Sequence, residues 1–140
     1  MQRYILDADV CIHVLRRRPP LLRDRLAEAA GRTAISTITL TELKVGVEKS
    51  ARPVERRDDL IAFCAALVLL DYDSEAADHA ADIRAKLERL GQKIGPIDTL
   101  LAGHARSLGA TLVTGNAREF SRVPGLLCEN WLGPYQGFNE

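Results

Sequence analysis

A chain of 140 residues with 46% hydrophobic content is long enough for one compact domain with a real core, and nothing in it marks a second domain. Its 19 basic and 19 acidic residues cancel, which excludes a global attraction to nucleic acid or membrane and leaves only local sites for a polyanion. Cys11, Cys64 and Cys128 are odd in number and widely spaced, which excludes a zinc or disulfide framework and suits reduced thiols. No stretch approaches the roughly 18 apolar residues of a membrane span, so a soluble cytoplasmic protein is expected.

Short β-like runs alternate with longer helical ones. "RYIL" reads as a strand and "VCIHVLRRR" as a helix stopped by Pro19 and Pro20. "LLRDRLAEAA" is a second helix ended by Gly31, "TAIS" a second strand, and "TITLTELKVGVEKS" a helix that begins at Thr37 or at Thr39. Pro53 opens the helix "VERRDDLIAFCAAL", "LVLLDY" is a third strand, and "SEAADHAADIRAKLERLG" is a long amphipathic helix closed by Gly91. "GPIDTLLAGHA" starts a helix near Pro96; "ATLVTG" is a fourth strand, "NAREF" a single helical turn and "GLLCENW" a last edge strand. This alternation predicts an α/β architecture: a central, mostly parallel sheet of four to five strands, flanked by helices and joined by right-handed crossovers. In such sheets ligands bind beyond the carboxyl ends of the strands.

The helix from Pro96 carries an acid where an apolar face is expected. At about 100° per residue Ile97, Leu101, His104 and Leu108 share one side, and Asp98 falls on its Ala102 and Ala105 edge. Gly103, Arg106 and Ser107 fall on the other side. Burial of a carboxylate costs several kcal/mol unless something compensates. The dipole of its own helix supplies only about 0.3 to 1 kcal/mol.

Other acids converge on the same end of the sheet. Asp7 follows the first strand, Glu42 lies in the helix after the second, and Asn116 and Glu119 come just after the fourth. Carboxylates about 4 Å apart repel by roughly 4 kcal/mol at an effective dielectric near 20, so such a set needs protons or a cation. Oxygen donors without an imidazole or thiolate set favour magnesium or manganese over zinc, and waters kept by such an ion are potential nucleophiles. Taken singly, Asp7 reads equally as a helix cap, Glu42 as a solvent-facing residue and Asp98 as a charge on a helix dipole. Asp9 is read as a cap. The case rests on the set.

Together, "YILDADVCIHVL", "AISTITLTELKVGVEKS" and "GPIDTLLAGHARSLGATLVTGNAREFSRVPGLLCENW" resemble a PIN-domain ribonuclease of the VapC toxin type over nearly the whole chain. The resemblance implies a PIN-like fold and a magnesium-dependent endoribonuclease, the toxin half of a type II toxin–antitoxin pair. It also implies a homodimer, inhibition by a VapB-like antitoxin, and structured RNA as substrate, transfer RNA above all. On this resemblance Asp7 and Asp98 are the metal-binding acids and Glu42 positions or deprotonates the attacking water. Many PIN domains have an aspartate where Asn116 stands, which leaves open whether Asn116 or Glu119 completes the site. Thr114 is expected to orient a water or a phosphate.

Arg16, Arg17 and Arg18 are candidates for the RNA backbone; Arg52, Arg56 and Arg57 read rather as a solvated face, since Asp58 and Asp59 follow them. His13, His79 and His104 lack partners at metal-ligand spacing, and His104 is expected in the core or an interface. A competing resemblance links "LDADVCI" to the nucleophile motif of haloacid-dehalogenase-like phosphatases, with Asp7 as nucleophile and Asp9 as acid. That family's closing paired-acid motif is matched poorly by "GPIDTLLAGHA" and "VTGNAREF". A non-enzymatic RNA-binding module would be suggested by the loss of Asp7 or Asp98, and both are present.

Overall fold

The computed structural model describes residues 2–16 and 19–133. Its elements follow the expected order: β1 (Tyr4–Leu6), α1 (Ala8–Arg16), α2 (Pro20–Glu28), β2 (Thr33–Ser36), α3 (Thr37–Glu48), α4 (Pro53–Ala65) and β3 (Val68–Leu70). They continue with α5 (Ser74–Arg89), α6 (Pro96–Ser107), β4 (Thr111–Val113), α7 (Ala117–Phe120) and β5 (Leu127–Glu129).

Local chemistry sets several boundaries. Pro20, Pro53 and Pro96 each occupy the first turn of a helix, where a missing N–H costs nothing. The choice between Thr37 and Thr39 is settled by Ser36, whose Oγ accepts from the Ile38 N–H at 3.0 Å and so caps α3 at Thr37. Asp73 caps α5 in the same manner through the Ala76 N–H, at 2.9 Å.

The five strands run in the order β3-β2-β1-β4-β5, and every pairing is parallel. Strand direction alternates side chains between two helical layers. Leu6, Ile35 and Val113 face one core with α1 to α4 and Trp131, whereas Ile5, Ala34 and Leu112 face another with α5 and α6. The chain builds outward from β1 to β3 and then crosses to the far side of β1 with β4. That reversal is the switch point at which an open parallel sheet leaves a crevice.

Helix α6 corrects the sequence reading at three places. Ile97 and Leu108, expected inside, are 44% and 45% exposed because they lie at the two ends of the helix. Gly103, expected outside, is buried under α5: a Cβ there would come within 2.5 Å of the Ala80 nitrogen. Arg106, also expected outside, is tied down instead. Its guanidinium donates to His79 Nδ1 at 2.9 Å, Asp82 Oδ2 at 2.7 Å and the Pro124 carbonyl at 3.0 Å. Asp82 is held below the ordinary carboxylate range by Arg106 and then Lys86.

The three cysteines are free thiols. Among the described residues no helix is long and apolar enough to cross a membrane.

Candidate active site

Asp7 stands where β1 ends, its N–H donating to the Val113 carbonyl at 2.9 Å, so the backbone of β4 fixes its place at the switch point. Its carboxylate accepts from the Ala8 N–H at 2.7 Å through Oδ1 and from the Thr114 hydroxyl at 2.8 Å through Oδ2. Burial, then the charges of Asp9 and Asp98, push its pKa up to about 7 against the hydrogen bonds from Thr114 and Ala8. The capping role expected of an isolated Asp is therefore partly real, and it does not satisfy this carboxylate.

Thr114 corrects a second expectation. Its hydroxyl is fully buried, donating to Asp7 and accepting from the Asn116 N–H at 3.0 Å. A side chain engaged on both sides and closed to solvent orients Asp7 rather than a water or phosphate.

Asp98, in the first turn of α6, is near enough for its charge to act on Asp7. Burial raises its carboxyl, followed by the charges of Glu119, Glu42 and Asp9. Glu119 connects two segments: Oε2 accepts from the Asn116 side-chain amide at 2.9 Å and Oε1 from the Gly95 N–H at 3.4 Å. The Asn116 amide is thus spent on Glu119, and Glu119 is the group at this corner that brings charge to Asp98. Glu42 stands on an exposed part of α3, although partial withdrawal from water raises its carboxyl.

Arg16, at the exposed end of α1, shares a cleft of about 90 Å³ with Glu42, Gly46 and Arg56. Arg17 and Arg18 lie outside the described residues. Arg52, Arg56 and Arg57 pair with Glu55, Asp59 and Glu48 at 3.4, 3.4 and 3.2 Å on an exposed face, which fits the solvated reading for this group.

Asp9 is the site residue the sequence reading missed. It lies within the first turn of α1 rather than ahead of it, and its Oδ2 accepts from the Gly115 N–H at 3.1 Å. Its Oδ1 is buried without a hydrogen-bond partner among the described residues, and burial raises its carboxyl. The signal lay in Gly115: a Cβ there would stand 2.5 Å from Asp9 Oδ2, so only glycine lets the loop approach the acid.

The charges that act most on Asp7 and Asp98 are all negative. Such a surplus of carboxylate oxygens, one of them buried and unpartnered, suits a hard divalent cation. Among the described residues no three Asp, Glu, His or Cys side chains close round one point.

A PIN-domain family model matches residues 4–126. The tRNA(fMet)-specific endonuclease VapC of Shigella flexneri is 43% identical over 131 residues, covering 94% of this chain and 99% of its own. Ribonuclease VapC2 of Haemophilus influenzae is 41% identical over 132 residues, covering 94% of this chain and 100% of its own. Among solved structures, DNA-bound VapBC from Salmonella typhimurium superposes with a TM-score of 0.90 at 43% identity, covering 94% of this chain and 99% of that one. VapBC2 from Rickettsia felis, bound to a promoter DNA fragment, gives 0.88 at 35% identity over 93% of this chain and 99% of that one. With Asp7 at the switch of a parallel sheet and Asp98 near enough for its charge to raise it, these similarities place the chain in the PIN-domain family, among the VapC ribonucleases.

Proposed function

We propose that this protein is a magnesium-dependent endoribonuclease, the toxin of a VapBC-type pair acting in the cytoplasm, and that it cleaves structured RNA. The observation that carries the reading is that, among the described residues, the charges acting most on Asp7 and Asp98 are other carboxylates, Glu119 and Glu42 first on Asp98. Two relatives are tRNA(fMet)-specific endonucleases, which supports transfer RNA as the substrate, the initiator species first.

Asp7 and Asp98 are the residues that hold magnesium, with manganese as a substitute; when bound, the ion supplies positive charge against both the acids and the phosphodiester. Thr114 keeps Asp7 in one orientation, so little has to rearrange when RNA arrives. Glu42, at the open rim, accepts the proton of the attacking water. The water oxygen bonds to phosphorus while the P–O bond to the leaving ribose oxygen breaks, and that oxygen takes up a proton from solvent. Glu119, held by Asn116 and Gly95, fixes the charge around Asp98, and Arg16, with Arg17 and Arg18 after it, meets the RNA backbone.

The VapB-like antitoxin is assigned to the groove of about 530 Å³ between α1, α2 and α4, lined by Val14, Leu15, Leu22, Leu26, Phe63 and Leu67. The VapBC complexes among the structural relatives support such a partner, and a homodimer of the toxin is part of the same proposal.

The test is cleavage of total cellular RNA and of initiator tRNA by the purified chain in magnesium, with EDTA and Asp98→Asn controls and end sequencing of the fragments. Discrete cuts that vanish with EDTA and in a folded Asp98→Asn protein are expected. Full activity in that variant removes Asp98 from the metal site, and an inert wild type, freed of any antitoxin, removes the nuclease reading.

A further inference from the structure

Deep between the layers, away from the acids, His104 on α6 and Ser36 at the start of α3 share a hydrogen bond of 2.9 Å between Nδ1 and Oγ. Both side chains are closed to solvent, Ser36 fully and His104 to within 2%. The catalytic reading of a serine beside a histidine does not apply, because no substrate reaches Oγ. One Oγ lone pair takes the Ile38 N–H at 3.0 Å, and the hydroxyl meets Nδ1 as donor or acceptor according to the imidazole tautomer. The edge of Tyr72 packs against the imidazole at 5.6 Å between centroids, and the Tyr72 N–H donates to Thr37 Oγ at 3.1 Å, so the β3–α5 loop clamps the same junction.

This junction joins two helices that each deliver one acid. Ser36 precedes Glu42 on α3 by six residues, and His104 follows Asp98 on α6 by six. A buried polar pair has one geometry that satisfies both members, whereas an apolar contact slides.

We propose that His104 and Ser36 are a positioning pair that sets the separation of Glu42 from Asp98, and so the rate of the chemical step rather than the affinity for RNA. The proposal rests on the nuclease reading above. Neither side chain touches substrate or cation. The pair works through the placement of α3 against α6, and a misplacement of the order of 1 Å in a reacting group costs about a hundredfold in rate.

The experiment compares wild type with His104→Leu, His104→Asn and Ser36→Ala in kinetics on an RNA that wild type cleaves, alongside hydrogen exchange of the α3 backbone. An asparagine amide can meet Ser36 Oγ as acceptor through Oδ1 or as donor through Nδ2; leucine fills the space without a hydrogen bond. Expected for His104→Leu are a fall in kcat of about ten- to a hundredfold with KM within about twofold, and faster exchange of the first-turn amides of α3. His104→Asn should recover most of the kcat. The doubly substituted His104→Leu, Ser36→Ala protein should lose no more kcat than the worse single variant, because the two act as one unit.

Wild-type kcat in His104→Leu overturns the proposal, as does a loss confined to KM or a loss that asparagine does not relieve. If His104→Leu fails to fold, Ser36→Ala read by the same kcat and KM split decides. An inert wild type fails the nuclease reading itself, and the α3 exchange of the variants then reports separately whether the link exists.

Discussion

A carboxyl with a pKa near 7 makes Asp7 a source of instability that pH can switch. The folded value lies above the ordinary one of 3.8, so the folded chain holds a proton that the unfolded chain releases. The stabilisation is complete below about pH 4 and is lost as pH rises through about 7. Metal-free protein should therefore gain about 1 kcal/mol of stability between pH 8.5 and pH 6.5, seen as a rise in Tm. Asp7→Asn should flatten that slope and melt higher than wild type at pH 8.5. His104 works in the opposite direction: burial lowers its pKa, so below about 6.5 the unfolded chain takes the proton first, and the gain is best read above that pH. A Tm that falls on acidification from pH 8.5 to pH 6.5 would contradict the burial of Asp7.

Among the helices, contact between α5 and α6 is close enough to depend on one missing methyl group. At Gly103 a Cβ would lie within 2.7 Å of three atoms of Ala80, two of them backbone, and neither helix has a side chain that can swing away. Gly103→Ala should destabilise by about 1 to 3 kcal/mol, the range for overpacking a closed core, and lower Tm in a thermal melt. The exposed Gly46→Ala control meets nothing within 4 Å and should melt like wild type or above it.

This scale also shows what the sequence could reveal. Proline at helix starts, glycine after their ends and short apolar runs at strands are local signals, and they placed each element near its observed bounds. Which side of α6 is buried depends on where α5 lies, a tertiary fact, and so Gly103 was assigned to water. Asp7 at a strand end and Asp98 in a first helical turn stand where local signals are sharpest, and Glu42, in the second turn of α3, was read with them as part of an ordered set. Asp9 was not, since its partner Gly115 lies 106 residues away and only the folded chain brings them together.

For the molecule as a whole, a cation that binds only the folded chain should stabilise it by mass action, about 2.7 kcal/mol at a hundred times its dissociation constant. Protons compete for Asp7, so magnesium should raise Tm more at pH 8 than at pH 6, and Asp7→Asn should lose most of that rise. Scanning calorimetry at both pH values checks it; an equal rise in the variant would place the ion elsewhere.

The strand order holds a consequence for how the protein is made. β1 comes first of the five strands and lies at the centre of the sheet, yet its neighbour β4 begins only at Thr111. The acids span Asp7 to Glu119, so a growing chain carries Asp7 and Glu42 long before Asp98, and before the strand whose Thr114 orients Asp7. Domains fold as units once enough chain has emerged. The site therefore comes together only after the chain through Glu119 has emerged, and until then a growing chain carries some of the acids but not the complete set.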